Sequence, residues 1–494
     1  MNSPPLRRRI DLARIASETM AERGLEPEFP AAATQELASI VGPGLTAGAD
    51  ADARIANLRT LPWCSIDNDD SRDLDQLTAC EPLAQGAIKV FVAVADVDVL
   101  VAKGSAIDEH ARFNTTSVYT AARIFPMLPE RLSTDLTSLN PGQDRLAIVT
   151  TMVIAADARV TQATVQRAWV HNHAKLAYDA LAAWIEGEGA LPPAAAAVPG
   201  LDQQLRTQDE AAQRLRVRRH AEGALEFQTL QPRAVYEGER VVEIRQQAQN
   251  RARQLIEELM IATNRATAQF LAEHGGASLR RVVRSPERWQ RIVMEARKYG
   301  EALPAEPDSR ALEAFLAKRR KADPLRFPDL SLVIVKLMGS GEYVVEQPGA
   351  APIGHFGLAV RDYTHSTAPN RRFPDLITSR MLKAVLAGSA PPYSGAELND
   401  LAAHCSQQED AAQKVERKLR KCEAALLLES HVGQRYDAIV TGRTDRNTWV
   451  RTLSPPVEGM LTGRVSQLDI GQRVEVKLVA TDVERGFIDF EFLH

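Results

Sequence analysis

Cysteine is scarce in this chain: Cys64, Cys80, Cys405 and Cys422 are the only four in 494 residues. None stands in a Cys-x-x-Cys pair, which excludes a disulfide-stapled scaffold and leaves four reduced thiols. Among the ten histidines only His171 and His173 lie close together, two apart with no cysteine near, so a structural zinc site of short paired spacing is excluded too. Long apolar runs are missing. No stretch approaches the roughly 18 to 20 uncharged residues of a membrane-spanning helix, and the start, Met1-Asn2-Ser3-Pro4-Pro5-Leu6-Arg7-Arg8-Arg9, is not followed by the apolar core of a signal peptide. Nor is there an overall basic surplus, because 60 Lys and Arg meet 64 Asp and Glu for a net charge of −4. With 45% hydrophobic, 25% charged and 5% aromatic residues, the expectation is a globular, cytoplasmic protein of two to four domains with no membrane partner.

The neutral average hides an asymmetry. Residues 211–300 hold 17 Lys and Arg against 10 Asp and Glu, with dense runs at Arg214–Arg219 and Arg280–Arg284, and Lys318-Arg319-Arg320-Lys321 extends the excess. On charge alone these are solvated helix faces. Residues 6–41 read as two short helices broken around Gly24 to Pro30, either a helix-turn-helix-like head or a helical hairpin packed on the core. Buried strands are expected at Ala87 to Val99 and Leu146 to Ile154, where β-branched apolar residues run together. Gly187 to Gly200 is too rich in Pro, Gly and Ala to carry a helix and reads as a surface connector. Long amphipathic helices are expected over Arg251 to His274 and Glu409 to His431. From Arg435 on, five short strands (435–444, 448–453, 457–461, 473–481 and 486–492) suggest a small OB barrel. The fold class is therefore α+β, with boundaries at 1–58 for the head, 59–432 for a mixed central domain and 433–494 for the barrel.

The densest chemistry lies at Ser65-Ile66-Asp67-Asn68-Asp69-Asp70-Ser71-Arg72-Asp73-Leu74-Asp75-Gln76. Five aspartates and one arginine within nine residues repel one another, and carboxylates this close either protonate or share a hard cation such as Mg²⁺, Mn²⁺ or Ca²⁺. An EF-hand is excluded, because Arg72 and Thr78 stand where a loop from Asp67 needs its glycine and its glutamate. If Asp73-Leu74-Asp75 is extended, both carboxylates share one face, and the loop before them can fold Asp67 back to form a three-carboxylate pocket. A solvated acidic loop is the bland alternative.

This stretch resembles the signature of the ribonuclease II (RNB) family, in which Ile-Asp is followed six residues on by an Asp-x-Asp-Asp run. The likeness continues through Val92-Ala93-Val94-Ala95-Asp96-Val97, Pro126-Met127-Leu128-Pro129, Lys175-Leu176-Ala177-Tyr178, Gly223-Ala224-Leu225-Glu226-Phe227, Leu255-Ile256-Glu257-Glu258-Leu259-Met260 and His355-Phe356-Gly357-Leu358. A second family signature, Tyr-Thr-His-x-Thr-Ser-Pro-x-Arg-Arg-Tyr-x-Asp, is matched by Tyr363-Thr364-His365-Ser366-Thr367-Ala368-Pro369-Asn370-Arg371-Arg372-Phe373-Pro374-Asp375. The tail, with Val457-Glu458-Gly459-Met460 and Ile470-Gly471-Gln472-Arg473-Val474, looks like an RNA-binding OB barrel of the ribosomal-protein-S-one type.

The resemblance implies a processive 3′-to-5′ exoribonuclease that releases nucleoside 5′-monophosphates and acts in RNA degradation and processing. It implies Mg²⁺ as cofactor, Mn²⁺ being an alternative, held by Asp67, Asp73, Asp75 and Gln76. Gln76 departs from the pattern, standing where the family has a fourth aspartate, so metal grip is weakened unless Asp69 or Asp70 substitutes. Catalytic roles fall to Asp73, Asp75 and Arg371, the guanidinium gripping phosphate oxygens with Arg372 assisting. Ala368 and Asn370 are further departures. Tyr119 and Phe227 are the expected stacking surfaces for bases, each with a buried core aromatic as the competing reading. Glu258, or Glu257 beside it, is the expected partner of the ribose 2′-hydroxyl, with a solvent-facing glutamate as the alternative. The basic excess of 211–321 would line the path of the phosphates. Partners are single-stranded RNA and, since the fewer than seventy residues ahead of Asp67 leave no room for the family's pair of cold-shock barrels, structured RNA with a 3′ overhang. A monomer is expected. The alternative function is a catalytically weakened relative that binds and shields RNA 3′ ends.

Overall fold

The computed structural model describes residues 9–43, 55–228, 232–237, 240–246, 249–274, 276–444, 447–463, 468 and 470–493. A seven-stranded mixed sheet lies at the centre, built from β1 (Ile55–Asn57), β2 (Cys64–Asp67), β3 (Gln76–Pro82), β4 (Ile88–Ala95), β7 (Asp144–Ile154), β8 (Val160–His171) and β9 (Ala174–Ala177), in the order β1-β8-β7-β4-β3-β2-β9. The two-residue strands β5 (Val118–Tyr119) and β6 (Ile124–Phe125) form a separate hairpin. Ile55–Asn57, placed in the head by the sequence reading, is the edge strand of the sheet and pairs parallel with Arg167–Trp169.

Both faces of the sheet are covered, which is why its central strands read as continuous apolar runs rather than alternating ones. Phe91, Ala93 and Ala95 of β4 face one layer, with Val90, Val92 and Val94 facing the other. On the first side lie α3 (Ala106–Asn114), α11 (Phe373–Ala387) and the first part of α12 (Gly395–Leu428). The second side holds α4 (Tyr178–Glu186), the one-turn α5 (Pro193–Ala196), α6 (Leu201–Ala221) and α7 (Arg251–Glu273). The connector reading of 187–200 misses α5: Pro193 starts the turn, where its missing N–H costs nothing, and Ala195 is buried under α6. The helix expected from Glu409 begins fourteen residues earlier, because the Ser394 hydroxyl accepts the Glu397 N–H and caps it.

A helical lobe of α8 (Trp289–Arg297), α9 (Ser309–Ala322) and α10 (Phe327–Met338) has its own small core. It follows β12 (Ser278–Val282), which pairs with β13 (Glu342–Glu346). The strands β10 (Pro232–Glu237) and β11 (Arg240–Gln246) make a hairpin of their own. At the N-terminal end, α1 (Arg9–Glu22) buries Leu12, Ile15, Ala16 and Met20 in the same cluster as Val415 and Leu419 of α12, so this face of the head is committed to the body. From the turn before α2 (Ala31–Ser39), the Glu26 N–H donates to Asn114 Oδ1 at 2.9 Å, and Asn114 Nδ2 returns a bond to the Glu26 carbonyl.

The five C-terminal strands, β14 (Arg435–Arg443), β15 (Thr448–Thr452), β16 (Glu458–Thr462), β17 (Arg473–Asp482) and β18 (Phe487–Phe492), close into a barrel in the order β14-β15-β16-β18-β17, as expected from their spacing. Gly459 is required where β16 and β18 run together: a Cβ there would sit 2.5 Å from the Phe490 ring and 2.6 Å from the Ile488 carbonyl. Arg451 of β15 fastens the barrel to α10, its Nη2 lying 2.9 Å from Asp329 Oδ2 with both side chains largely buried. Taking away one partner leaves an uncompensated charge, so Arg451→Ala is expected to cost about 3 kcal/mol of stability. The paired replacement Arg451→Leu with Asp329→Leu is expected to recover most of it, as read by thermal and urea unfolding.

Candidate active site

Asp67 ends β2, whose partner β9 runs parallel to it with Asp67 opposite Ala177. The chain then turns out of the sheet. Asp67 Oδ1 accepts the Asn68 N–H at 2.7 Å, and Lys175 Nζ donates to the Asp69 and Ser71 carbonyls at 2.9 and 2.6 Å, pinning a loop whose own charge would push it open. Asp69 and Asp70 lie at the exposed tip. Residues 72–75 lead back into β3, held by three bonds: Ser138 Oγ accepts the Leu74 N–H, Leu139 N–H donates to the Leu74 carbonyl, and Ala95 N–H donates to the Asp75 carbonyl. Leu74 is buried in the core, while the Asp75 carboxylate turns to the Asn370 N–H and Arg371; the segment lies ahead of β3 and is not itself a strand, so the period-two argument does not apply to it as such.

The second segment comes from nearly three hundred residues away. Asn264 of α7 accepts the Ser366 N–H and hydroxyl, both at 2.9 Å, and the fully buried Asp375 at the start of α11 accepts the Ala368 N–H (2.9 Å) and Arg372 Nη2 (2.7 Å). This anchored loop delivers two donors to Asp75, the Asn370 N–H to Oδ1 at 2.9 Å and Arg371 Nε to Oδ2 at 3.2 Å. The terminal nitrogens of Arg371 have no hydrogen-bond partner among the described residues, and its side chain is 42% exposed. Arg372, by contrast, is occupied by Asp375. Tyr119 closes the other side: its hydroxyl donates to Asp73 Oδ2 at 3.0 Å while the residue as a whole stays 39% exposed.

Electrostatics follow from that packing. Asp75 is 2% exposed, and burial pushes its carboxyl up to about 7, opposed by Arg371 and reinforced by Asp73. Asp67 is raised as well, again by burial first, with the Asn68 N–H, Ser71 and Arg371 pulling it down and Asp73 pushing it up. Three carboxylates against one guanidinium leave an excess of two negative charges in a mostly buried pocket of hard oxygen donors. That excess fits a divalent cation held by Asp67, Asp73 and Asp75. Gln76 opens β3 opposite Val94 on the side of α6 and α7, and its carboxamide has no hydrogen-bond partner among the described residues. Among those residues, the group whose ligand atoms lie within 4.8 Å of one another is a different one, His220, Glu226 and Glu313. There Arg216 and Arg320 already neutralise Glu226.

Two expected RNA contacts lie elsewhere. Glu258 is 2% exposed and both of its oxygens accept from Arg219, so its carboxylate is turned into the protein rather than toward solvent. Its neighbour Glu257 has a 45% exposed side chain. Phe227 is half-buried against the core of the α8–α10 lobe. Much of the basic excess is met by ion pairs: Arg214 and Arg218 pair with Glu210 and Glu222 one turn away on the surface, while Arg216, Arg219, Arg280, Arg281 and Arg284 pair with Glu226, Glu258, Glu346, Glu409 and Glu342 brought in by folding. Net charge along a sequence does not reveal partners brought in by folding. Three contributors are given no site role by the sequence: Lys175, Arg253 and Tyr178. Arg253 Nη2 donates to Asn68 Oδ1 at 3.0 Å, and its guanidinium lies 4.4 Å from the centre of the Tyr178 ring. Burial and the neighbouring Asp67 raise the Tyr178 phenol. Lys175 and Tyr178 stand in a run that carries the family resemblance, and this was the one available signal for them.

Comparison with known proteins places the chain in a family. Residues 55–388 match the model of the RNB domain, and residues 434–493 match that of the RNase II-type exonuclease C-terminal S1 domain. Ribonuclease R 1 of Lactococcus lactis subsp. lactis is 30% identical over 460 residues, which cover 87% of this chain and 55% of that protein. The chain spans 55 to 60% of the length of the first relatives it matches. Among solved structures, Mycoplasma genitalium RNase R in complex with ribose methylated single-stranded RNA has a TM-score of 0.88 at 20% identity, over 98% of this chain and 78% of that one. Yeast Ssd1, a pseudonuclease, shares the fold at a TM-score of 0.71 and 17% identity, over 94% and 57%.

The raised Asp75 carboxyl has a measurable consequence with chelator present. Between the ordinary carboxylate value of 3.8 and about 7, the folded state holds a proton that the unfolded chain releases, so stability falls as pH rises through that window and levels off above it. Urea unfolding of Asp75→Asn across the same range should show a flatter profile, the difference from the parent protein isolating this one group.

Proposed function

The chain belongs to the RNB family, and from that premise we propose that it is a 3′-to-5′ exoribonuclease that hydrolyses RNA processively to nucleoside 5′-monophosphates. The observation that carries this reading is the meeting of Asp67, Asp73 and Asp75 with Arg371 in one mostly buried pocket, across nearly three hundred residues of sequence. Mg²⁺ or Mn²⁺ is the cofactor that suits three carboxylates. When bound, such an ion supplies a water of lowered pKa and offsets charge on the departing 3′ oxygen. The protein's own part is to hold the phosphate and the terminal base.

Arg371 is the group for the phosphate. Its Nε is tied to Asp75, which fixes the plane of the guanidinium and leaves the terminal nitrogens to donate to two phosphate oxygens as charge builds on them. Asp73 is held by the Tyr119 hydroxyl, and the exposed Tyr119 offers a stacking surface directly beside the acidic pocket. Arg372 acts behind this front, by securing Asp375 and the loop that presents Asn370 and Arg371. Glu257, whose side chain is partly open, is better suited than Glu258 to meet a ribose hydroxyl. The barrel would add phosphate and stacking contacts for long RNA, away from the chemistry. Single-stranded RNA and RNA with a 3′ overhang are the proposed substrates, and the protein is proposed to act as a cytoplasmic monomer.

A second reading is favoured by one observation, Gln76 in place of the fourth acid, and has a precedent in fold in the pseudonuclease Ssd1. In that reading the chain binds RNA 3′ ends without cutting them. End-labelled RNA incubated with Mg²⁺ or with EDTA separates the two. Release of mononucleotides that stops with EDTA supports the nuclease, whereas binding without release supports the shield.

Asp75→Asn is expected to abolish hydrolysis while RNA affinity stays within several-fold, because it removes a charge and a metal ligand without altering the rest of the binding surface. Undiminished turnover would remove this cluster from catalysis. Gln76→Asp is expected to lower the Mg²⁺ concentration needed for half-maximal rate, measured by titrating the ion against initial rate.

A further inference from the structure

Tyr119 sits on a hairpin too small to stand alone. β5 and β6 have two residues each, and an isolated two-stranded ribbon is marginal in water at best. Yet this ribbon places a phenol within 3.0 Å of Asp73. Its position must come from what surrounds it.

Four sets of contacts surround it. From α12, Glu416 Oε1 accepts the Tyr119 N–H at 3.1 Å and Glu423 Oε1 accepts the Ala121 N–H at 3.3 Å. Residues 416 and 423 are two helical turns apart and share a face, so one helix offers two acceptors to alternate amides of one strand end. Glu423 is 3% exposed, a costly place for a carboxylate unless its bond to the hairpin is used. From the N-terminal pair, the Arg123 guanidinium donates to Ser17 Oγ (3.3 Å) and to the Pro27 carbonyl (3.5 Å), pairs with Glu28 (2.7 Å) and covers the Phe125 ring. Beneath the hairpin, Val118, Ala122 and Phe125 are buried in the same cluster as Leu12, Ile15, Ala16 and Met20 of α1 and Val415 and Leu419 of α12. At its root, Ser117 N–H donates to the Arg371 carbonyl at 3.0 Å, so the ribbon that carries Tyr119 is joined to the segment that carries Arg371.

We propose that Glu416 and Glu423 of α12, together with the Arg123 grip on the α1–α2 turn, form a brace that sets the position of Tyr119 against Asp73, making these three positioning residues for the terminal nucleotide. This assigns the N-terminal helices a task inside the active-site frame rather than in reading nucleic acid, and it rests on the exoribonuclease reading above. Affinity for long RNA is set mainly by phosphate contacts spread over the surface, whereas the last nucleotide depends on Tyr119. Loosening the brace therefore changes turnover more than binding.

The test uses the full chain with Arg123→Ala, Arg123→Lys and Glu423→Leu. Hydrogen exchange, measured without RNA or metal, is expected to speed up about tenfold or more at amides 118–125 in Arg123→Ala and Glu423→Leu while α7 and the central sheet keep their protection. With Ca²⁺ in place of Mg²⁺, the quenching of a 2-aminopurine at the RNA 3′ end is expected to fall in both. In Mg²⁺, kcat is expected to drop about tenfold with KM for long RNA within about threefold, and Arg123→Lys is expected to regain part of the loss. Unchanged exchange and unchanged kcat in both variants would overturn the brace. So would exchange that rises equally across α1, α12 and the sheet, which would mark plain loss of stability. If the parent protein binds RNA and never cleaves it, the exoribonuclease reading fails, while exchange and 2-aminopurine quenching still judge the brace.

Discussion

The burial of Asp75 governs much of this structure. A carboxylate at 2% exposure is tolerated only with donors aimed at it, and both donors come from residues 370 and 371. That requirement joins the two ends of the central domain. The acidic loop hangs from β2 and β3, the donor loop from α7 and α11, and neither holds its shape without further ties: Lys175 and Ser138 on the first, Asn264 and Asp375 on the second. The pocket that results is short of positive charge by two.

Arginine does most of the remaining joining. Arg219 locks α6 to α7 through Glu258, Arg281 links β12 to α12 through Glu409, Arg380 ties α11 to Asp98 and Asp108, and Arg451 fastens the barrel through Asp329. The planar fork of the guanidinium suits such ties, because it meets a carboxylate with two parallel bonds while its stem packs on apolar neighbours. Much of a chain's basic character can thus be consumed internally. Beside the acidic cluster Arg371 differs: among the described residues its terminal nitrogens have no hydrogen-bond partner.

Some features were legible in the sequence because they are local. The barrel strands were placed to within two residues, since alternation and turn residues act over short range. The apolar runs of β4 and β7 announced a covered sheet. The failures share a cause of the opposite kind. Ile55–Asn57 is too short to carry a periodic signal and becomes a strand only because β8 offers an edge. Glu258 and Glu257 are adjacent and alike in sequence, and only the position of Arg219 decides which one is buried.

By itself, then, the order of residues determined which segments could be strands and helices, where acidic chemistry was concentrated, and which family pattern they followed. Hydrogen bonds within a segment and side-chain periodicity depend on near neighbours, and these are present in any window of the chain. The tertiary structure alone decided which charges were free to act. Asp75 met Arg371, Tyr119 met Asp73, and Arg219 and Arg281 were taken up by Glu258 and Glu409, because the free energy of a charge depends on what lies within a few ångströms of it. For residues hundreds of positions apart, that distance is set only when the chain has folded.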